Sequence, residues 1–528
     1  MFGLSRRSPA ECAITERGKK LAAAVDQLIA ERAAPAPPPA HAARRFDAAL
    51  VNRLTASWQS MNTAIDAELR GDLDRMRARS RDLFKNNEYA AKFGRTVKSN
   101  VVGPEGFRFQ ARSSDSGTLD TLANKAIEKA MWKWSRPDQC DVTGKRSFAD
   151  ICRGVMLATA RDGEYLVRKR RGNGAGFFGY QLQLLDADRL DTTYNVAPAN
   201  GRNAVIMGVE VDSWRKPVAY HLWNRHPNEA ANGTRSRERV PASDIFHGYI
   251  PLEDEQTRGV PWMHAVMRRT NDLNGYREAA VIAARIGAAK MGFFTSPDGS
   301  PSGVADGQTP SGEFITEASP GTFGVLPDGY TFTAFNPDYP HAQFDMFCKA
   351  ALRGISSGLP GGSYHTIGND LEGVSFSSIR SGTLEERDEW MAIQNWLITA
   401  FLVPVYEDWL DMSLLRGAIL LPNGSALPLA KRDKFAEHLW QGRRWQWVDP
   451  LKDINASVVA IENGLASPQQ IASQTGRDIE EVINDLAAFQ ALLAAKGVTL
   501  TGTTAATAAL ATAASADETT PSKPAAKN

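Results

Sequence analysis

Arg258-Gly-Val-Pro-Trp-Met-His-Ala-Val-Met-Arg-Arg-Thr-Asn-Asp-Leu-Asn-Gly-Tyr-Arg-Glu-Ala-Ala-Val-Ile-Ala-Ala-Arg-Ile-Gly-Ala-Ala-Lys-Met291 is the stretch on which the fold reading turns. Pro261 suits a first helical position, where its missing N–H costs nothing. No proline follows up to Met291, and about thirty helical residues would extend roughly 45 Å. The second half is rich in small residues (Ala279, Ala280, Ala283, Ala284, Gly287, Ala288), which let a neighbouring helix approach closely. The spacing predicts a packed helix of a bundle or ring over 261–291.

Downstream, Ser296–Pro340 is rich in Gly and Pro, with strand candidates at Gly312–Ile315, Phe323–Val325 and Tyr330–Phe335. This reads as a small β-containing insertion. A second helix is expected at His341–Ser357, ending at Gly358, and a glycine-rich loop at Leu359–Phe376. Ser377–Asp411 reads as a long helix that Pro404 should kink, because proline removes a backbone donor. Helices are expected within Asp449–Gln490, and a disordered Ala/Thr tail from about Thr499.

Upstream, residues 18–32 form a short amphipathic pattern isolated by the Ala/Pro linker Ala33–Ala43. Leu54, Trp58, Met61, Ile65, Leu69, Leu73 and Met76 recur every three or four residues, a helical core stripe with a break expected near Gly71. A second, basic helix is expected over Arg77–Lys98, stopping at Val102-Gly103-Pro104. Strands follow at Phe107–Ala111, Tyr165–Arg170, Tyr180–Leu185, Val205–Val211 and Val218–Trp223, the last two turning near Ser213–Lys216. Helices at Leu119–Trp134 and Ser147–Arg161 sit among them. The fold class is therefore α+β.

Composition bounds the function. The 528 residues carry 61 Lys plus Arg against 60 Asp plus Glu, a net charge of +1, with 43% hydrophobic and 23% charged residues. Wholesale disorder, a fibre and a uniformly basic nucleic-acid binder are excluded. Cys12, Cys140, Cys152 and Cys348 are far apart, which argues against a disulfide framework or zinc module. Neither a secretory signal nor a membrane helix is read, so a soluble intracellular product is expected.

Chemical motifs are few. Gly172–Gly179 lies between two strand patterns without a following Gly-Lys-Ser/Thr, so it reads as a hairpin turn and not a phosphate loop. Gly354-Ile-Ser-Ser-Gly358 matches the G-x-S-x-G nucleophile elbow, but a helix runs into it where the elbow needs a strand, and Gly358 reads as a C-cap. No H-E-x-x-H or paired-ligand spacing supports a metal site, and no cofactor is implied. Glu385, Glu386, Asp388 and Glu389 read as favourable charge in the first turns of a helix. Charge is uneven: thirteen Lys/Arg against eight Asp/Glu over Arg44–Arg108, and two against seven over Ser377–Met412. Solvated helix faces, a polyanion or an oppositely charged neighbouring subunit would each account for that.

The order of segments resembles a known family. Arg79-Ser-Arg81-Asp82-Leu-Phe-Lys-Asn86-Asn87 followed by Asn100-Val-Val-Gly103 resembles the N-terminal signature of lambda-type portal proteins of tailed phages. The resemblance continues through Arg161-Asp-Gly-Glu164, Leu185-Asp-Ala-Asp-Arg189, Arg258-Gly259-Val-Pro261-Trp262, Ser375-Phe-Ser377-Ser378-Ile-Arg380 and Trp447-Val-Asp-Pro450. It spans about residues 46–490 in the right order. Two departures stand out: Ser375-Phe376 where the family usually has Asn-Tyr, and the acidic Glu253-Asp254-Glu255 before Arg258.

The resemblance implies a ring of identical subunits, typically twelve, at one capsid vertex of the virion. Assembled in the host cytoplasm among capsid and scaffold proteins, such a ring docks the large terminase subunit, conducts double-stranded DNA without sequence specificity, and later holds head-completion or connector proteins. Mapped here, 1–45 is a tail and linker, 46–260 the wing, 261–291 and 341–357 the two stem helices, and 292–340 the clip. Residues 359–376 become the channel loop, 377–426 the kinked wing helix with following strands, 427–495 the crown and 496–528 a disordered tail. Channel candidates are Arg268, Arg269, Arg277 and Arg285 on the first stem helix and Tyr364, His365, Asn369 and Asp370 in the loop. The competing readings are another structural or adaptor protein of the virion, and a hydrolase built on Gly354–Gly358. No catalytic constellation of nucleophile, base and orienter is found for the latter.

Overall fold

A computed structural model describes residues 16–27, 53, 57, 62–288 (apart from 116 and 230–234), 292–295, 307–308, 314–315, 331–334 and 343–498 (apart from 373–374, 446–449 and 475–478). The chain divides into two units, Met1–Thr63 and Ala64–Asn528. Within the first, residues 16–27 form an exposed helix, α1. The rest of the expected N-terminal tail, most of the expected clip, the motif residues Trp447–Asp449 and the tail from Thr499 lie outside the described residues.

The second unit begins with α2 (Ile65–Asn86), whose Ile65, Leu69 and Leu73 face inward at intervals of four. Gly71 does not break it, because a lone exposed glycine costs a helix only about 1 kcal/mol. The break falls at Asn87, whose Oδ1 accepts from the Tyr89 and Ala90 amides and starts α3 (Glu88–Val97). A π-helical turn, Lys98–Val102, then ends at Gly103, which adopts φ 77°.

Strands β1 (Arg108–Ala111), β2 (Ser114–Asp115) and β3 (Thr118–Leu119) lead into α4 (Thr121–Trp134), α5 (Pro137–Cys140) and α6 (Phe148–Asp162). Ser147 and Asp150 form a capping box at the start of α6. β4 (Tyr165–Arg171) and β5 (Tyr180–Leu185) pair as a hairpin with Arg171 opposite Tyr180, so Gly172–Gly179 is its connection, as expected. Next come β6 (Ala204–Ile206), β7 (Val209–Val211), β8 (Pro217–Trp223), β9 (Arg237–Pro241) and β10 (Ile245–Gly248). Their sheets run β10-β4-β5 and β6-β7-β8-β9, all antiparallel. The strand expected over Val205–Val211 is in fact two, folded back at Met207 (φ 45°) and Gly208 (φ 84°).

The long helix is α7 (Met267–Ala288), which starts at Met267 and not at Pro261; residues 289–291 lie outside the described residues. Residues 261–266 form turns, and the Trp262 amide donates to the Ala160 carbonyl near the end of α6, 3.0 Å away. Four short strands fall in the expected clip: β11 (Gly292–Thr295), β12 (Gly307–Gln308), β13 (Phe314–Ile315) and β14 (Thr331–Ala334), paired β11-β14 and β12-β13. α8 (Phe344–Ser356) packs on α7, with Tyr276 against Phe344 and Phe347. Gly358 is not left-handed. A Cβ there would sit 2.4 Å from Val266 Cγ1, so close packing, not capping, calls for glycine. The expected loop 359–376 contains a short helix, α9 (Tyr364–Gly368).

α10 (Phe376–Leu397) and α11 (Val403–Leu415) are joined by a π-helical turn, Ile398–Leu402. The irregularity lies in the turn before Pro404, where a proline acts: Pro404 offers no N–H to Ala400 O, which accepts instead from the Tyr165 hydroxyl at 3.2 Å. Buried Phe401 occupies that turn, against Phe148, Tyr165 and Phe246. α12 (Arg432–Phe435) and β15 (His438–Gln441) follow, and β15 pairs with β1, Trp440 opposite Phe109. Residues 427–441, grouped in the sequence with the crown, thus pack with the body: Leu427, Phe435 and Trp440 join the main core beside Trp134, Tyr180 and Trp409. α13 (Pro450–Glu462), α14 (Pro468–Gln474) and α15 (Ile479–Lys496) complete the described chain.

Candidate functional site

Four of the quoted sequence motifs meet at one buried cluster of charge. On α2, Arg77 continues the stripe of Leu69 and Leu73, and Arg81 lies one turn on. Asp162 ends α6, and Gly163 at φ 92° turns the chain so that Glu164 enters β4 beside it. After β5, Asp186 and Asp188 share a single 3₁₀ turn. Arg258 and Gly259 arrive from the segment that precedes α7.

Glu164 is the hub, 1% exposed. Its Oε1 accepts from Arg77 Nη2 at 2.9 Å and Arg258 Nη2 at 2.5 Å, and its Oε2 from the Gly259 amide at 3.0 Å. Arg258 Nε lies 3.0 Å from both oxygens, and His247 Nε2 lies 3.0 Å from Oε2. Arg258 Nη1 donates to Met207 O at 2.6 Å, which gives the left-handed turn at Met207 its purpose. Arg81 donates to Asp162 (2.7 Å), Asp188 (2.6 Å) and Asp186 (2.7 Å). Arg77 reaches Asp188 Oδ1 at 3.2 Å, so both arginines hold that one carboxylate.

Burial alone would raise the Glu164 pKa, but Arg258 and Arg77 outweigh it and hold it well below the ordinary carboxylate range. Burial would lower the arginine pKa values; Glu164, Asp188 and Asp162 reverse that for Arg77, and Asp162 and its neighbours do so for Arg81. Glu164, Arg77 and Arg81 are thus each held in the charged form. Removing one partner of such a network strands a buried charge.

The backbones cross closely here. A Cβ on Gly259 would lie 2.1 Å from Gly163 O, and one on Gly163 would lie 2.5 Å from Val260 C. Asp66, at the start of α2, adds a second hold: it accepts from the Thr257 amide at 2.9 Å and hydroxyl at 2.7 Å. Trp262 then packs on Phe93 of α3, with ring centroids 6.5 Å apart. The chain entering α7 is therefore pinned to α2, α3 and α6. Chemically this is a rigid joint and not a reactive centre.

Asp186, Asp188 and His226 have ligating atoms within 4.8 Å of one another. Arg81 already occupies both carboxylates, so a cation would have to displace a guanidinium.

The residues nominated from sequence scatter. Of the family-motif residues, Arg81 and Gly259 belong to the joint, and Pro261 and Trp262 extend it. Arg79 and Asp82 are exposed; Asp82 accepts from Asn86 at 2.6 Å, and Asn87 caps α3. Asn100 and Gly103 offer carbonyls to Gln394 and Arg153. Ser377, Ser378 and Arg380 fall within α10, their side chains outside the described residues. Arg77 was not nominated, although an arginine continuing a leucine stripe at four-residue spacing is a legible signal of a buried ion pair.

The channel candidates split into two groups. Arg268, Arg269 and Arg285 are exposed, whereas Arg277 pairs with Glu88 and covers the Tyr89 ring. In the loop, Tyr364 donates to Asp370 at 2.6 Å and Asn369 accepts from Lys92. His365 lies 3.3 Å from Ser363 Oγ and 3.8 Å from Glu386. Glu386 is not in the first turns of its helix, which begins ten residues earlier at Phe376; it anchors this loop instead, accepting from Ser363 Oγ at 2.7 Å. Ser356 of the elbow-like motif is buried at the end of α8, with no strand leading into it, so the hydrolase reading lacks its geometry.

The family model described as phage portal protein, lambda family, matches residues 51–394. The chain belongs to that family. It is 36% identical over 468 residues to the probable portal protein of Halomonas phage phiHAP-1, covering 85% of this chain and 88% of the relative. To portal protein B of Escherichia phage lambda it is 22% identical over 466 residues, covering 81% and 85%. A chain from the neck of an empty GTA particle covers 77% of it at 13% identity and a TM-score of 0.40, too loose a likeness to build on. In this portal-family chain, four of the collinear motifs thus form the walls of one ionic joint.

Proposed function

We propose that the chain assembles as a ring, typically of twelve copies in this family, around a DNA channel at one capsid vertex. The large terminase subunit docks on the ring during packaging, head-completion or connector proteins follow, and DNA leaves through the same channel. Residues 64–260 then serve as wing, α7 and α8 as stem, 292–340 as clip, 359–376 as channel loop, and the helices after 450 as crown. Assembly takes place in the host cytoplasm with capsid and scaffold proteins.

The observation that supports this most is the joint at Glu164. A stem that bears load while DNA is driven past it needs a stiff attachment, and the family motifs supply one. A ring also needs two different complementary faces on each subunit. α7 leaves Val281 and Ile282 about half exposed beside small residues, and acidic Glu253–Glu255 stand out on another loop. Capsids assembled with and without the chain, then offered terminase, ATP and DNA, test the reading. Nuclease-protected DNA is expected only where the chain is present; equal protection without it would overturn the proposal.

A further inference from the structure

Lys92, Arg95 and Lys98 recur every third residue along α3 and into the π-helical turn, so they share one helical face. Arg95 is exposed and the two lysines are half-buried. Lys92 Nζ donates to Asn369 at one end of this line. At the other end, Arg443 Nη1 donates to Ser99 O and, at 3.0 Å, to Asn100 Oδ1, which fixes a guanidinium beside Lys98.

Arg443 and Arg387 then flank Trp445, their Cζ atoms 5.6 Å and 5.9 Å from the ring centroid. Gln394, two turns beyond Arg387 on α10, ties this corner together by donating to Asn100 O at 2.9 Å and Arg443 O at 3.1 Å. Exposed Arg444 adds a further cation.

These cations are short of counter-charge. Among the described residues neither Arg387 nor Arg443 has an ion pair, and Arg387 Nε is buried without a hydrogen-bond partner. Burial lowers the pKa of both, and the Arg387 charge lowers Arg443 further. Lys92 is lowered by burial and then by Arg95. Glu386 opposes the shift at Arg387, but its carboxylate is already engaged by Ser363 and Trp390.

We propose that the track from Lys92 through Lys98 to Arg443 and Arg387 binds the phosphate backbone of double-stranded DNA. The assignment rests on the portal reading, which makes DNA the cargo. The cations step about 4.5 Å along the helix, comparable to the ~3.4 Å charge spacing of one DNA strand. Guanidinium forks match phosphate oxygens. The track offers cations and one indole to the backbone, so it holds DNA without reading sequence.

The test uses the full-length chain and fluorescently labelled duplexes of two unrelated sequences, titrated across a salt series. Lys92→Gln/Arg95→Gln/Lys98→Gln is expected to weaken both duplexes equally, by about tenfold or more at low salt, and to flatten the log–log salt slope by about two to three. Arg95→Gln alone, at an exposed position, is expected to flatten it by about one. Unchanged affinity and slope, in variants that form rings as the parent does, would overturn the proposal. So would unchanged DNA binding with lost ring formation, which would give the track to a neighbouring subunit. Failure of the parent chain itself to form rings would count against the portal reading instead.

Discussion

Arg258 and Glu164, ninety-four residues apart in sequence, meet with neither side chain more than 1% exposed and Nη2 2.5 Å from Oε1. The same carboxylate also takes Arg77, so one side chain joins α2, β4 and the approach to α7. Glu164→Gln leaves buried Arg258 without its charge partner and Arg77 with Asp188 alone. It is expected to cost about 3–5 kcal/mol, read by chemical denaturation. A loss within about 0.5 kcal/mol would show that the joint is not structural.

Gly259→Ala places a methyl group 2.1 Å from Gly163 O, against backbone that cannot rotate away. Overpacking of about 1–3 kcal/mol or more is expected. Limited proteolysis should open the chain near residues 256–266 before any other described segment. A cleavage pattern identical to that of the parent would contradict the close crossing.

Acid should loosen the joint. Glu164 is held well below its ordinary pKa, so the folded state binds its proton less readily than the unfolded state does. The stabilisation is full above the unfolded value of about 4.3 and is lost as pH falls towards the folded one. Glu210, pushed down to about 2 by Arg239 on β9, adds to the same trend. Thermal melts from neutral pH to about pH 3 should therefore fall steeply at the acid end, and Glu164→Gln should flatten that fall. Parallel acid limbs in the two proteins would contradict the assignment.

Phe401 and Pro404 separate two explanations of the interrupted helix. Phe401 is fully buried in the π-helical turn, so Phe401→Ala is expected to cost about 3–5 kcal/mol. Pro404→Ala should change stability by about 1 kcal/mol or less, because the π-helical turn already accommodates the missing N–H and Ala400 O is taken by Tyr165. A large effect at Pro404 and a small one at Phe401 would assign the interruption to the proline alone.

Arg277 pairs with Glu88 of α3 while Arg285 is exposed. Arg277→Glu should weaken stability by about 1 kcal/mol, as part-exposed pairs contribute little, and Glu88→Arg in the same chain should restore it. The Arg285→Glu change should leave stability unaltered and act, if at all, on ring assembly or packaged DNA. No rescue by Glu88→Arg would show that the pair does not form.

Period and punctuation made most elements legible: the Leu69–Leu73 stripe, the Ser147 cap, and the glycine-rich connection between Arg171 and Tyr180. What sequence could not show was long-range. Gly71 looked like a break and Asn87 did not, because an exposed glycine is cheap whereas a cap needs three-dimensional context. Met207 and Gly208 fold a continuous apolar run into a hairpin, since Arg258, fifty-one residues on, takes the Met207 carbonyl. The pairing of β15 with β1 joins residues more than three hundred apart, and no local pattern encodes it. At the site, the motif positions were legible but their convergence was not. Arg77 is hidden in an apolar stripe, where the pattern reads as packing and not as charge.

The ring is the central claim, and its mass tests it most directly. Light scattering on the purified full-length chain, with negative-stain microscopy of the same fraction, should give rings with a central hole and a mass about twelve times the 57.6 kDa of one chain. A monodisperse monomer under every condition tried, with no rings in the images, would contradict it.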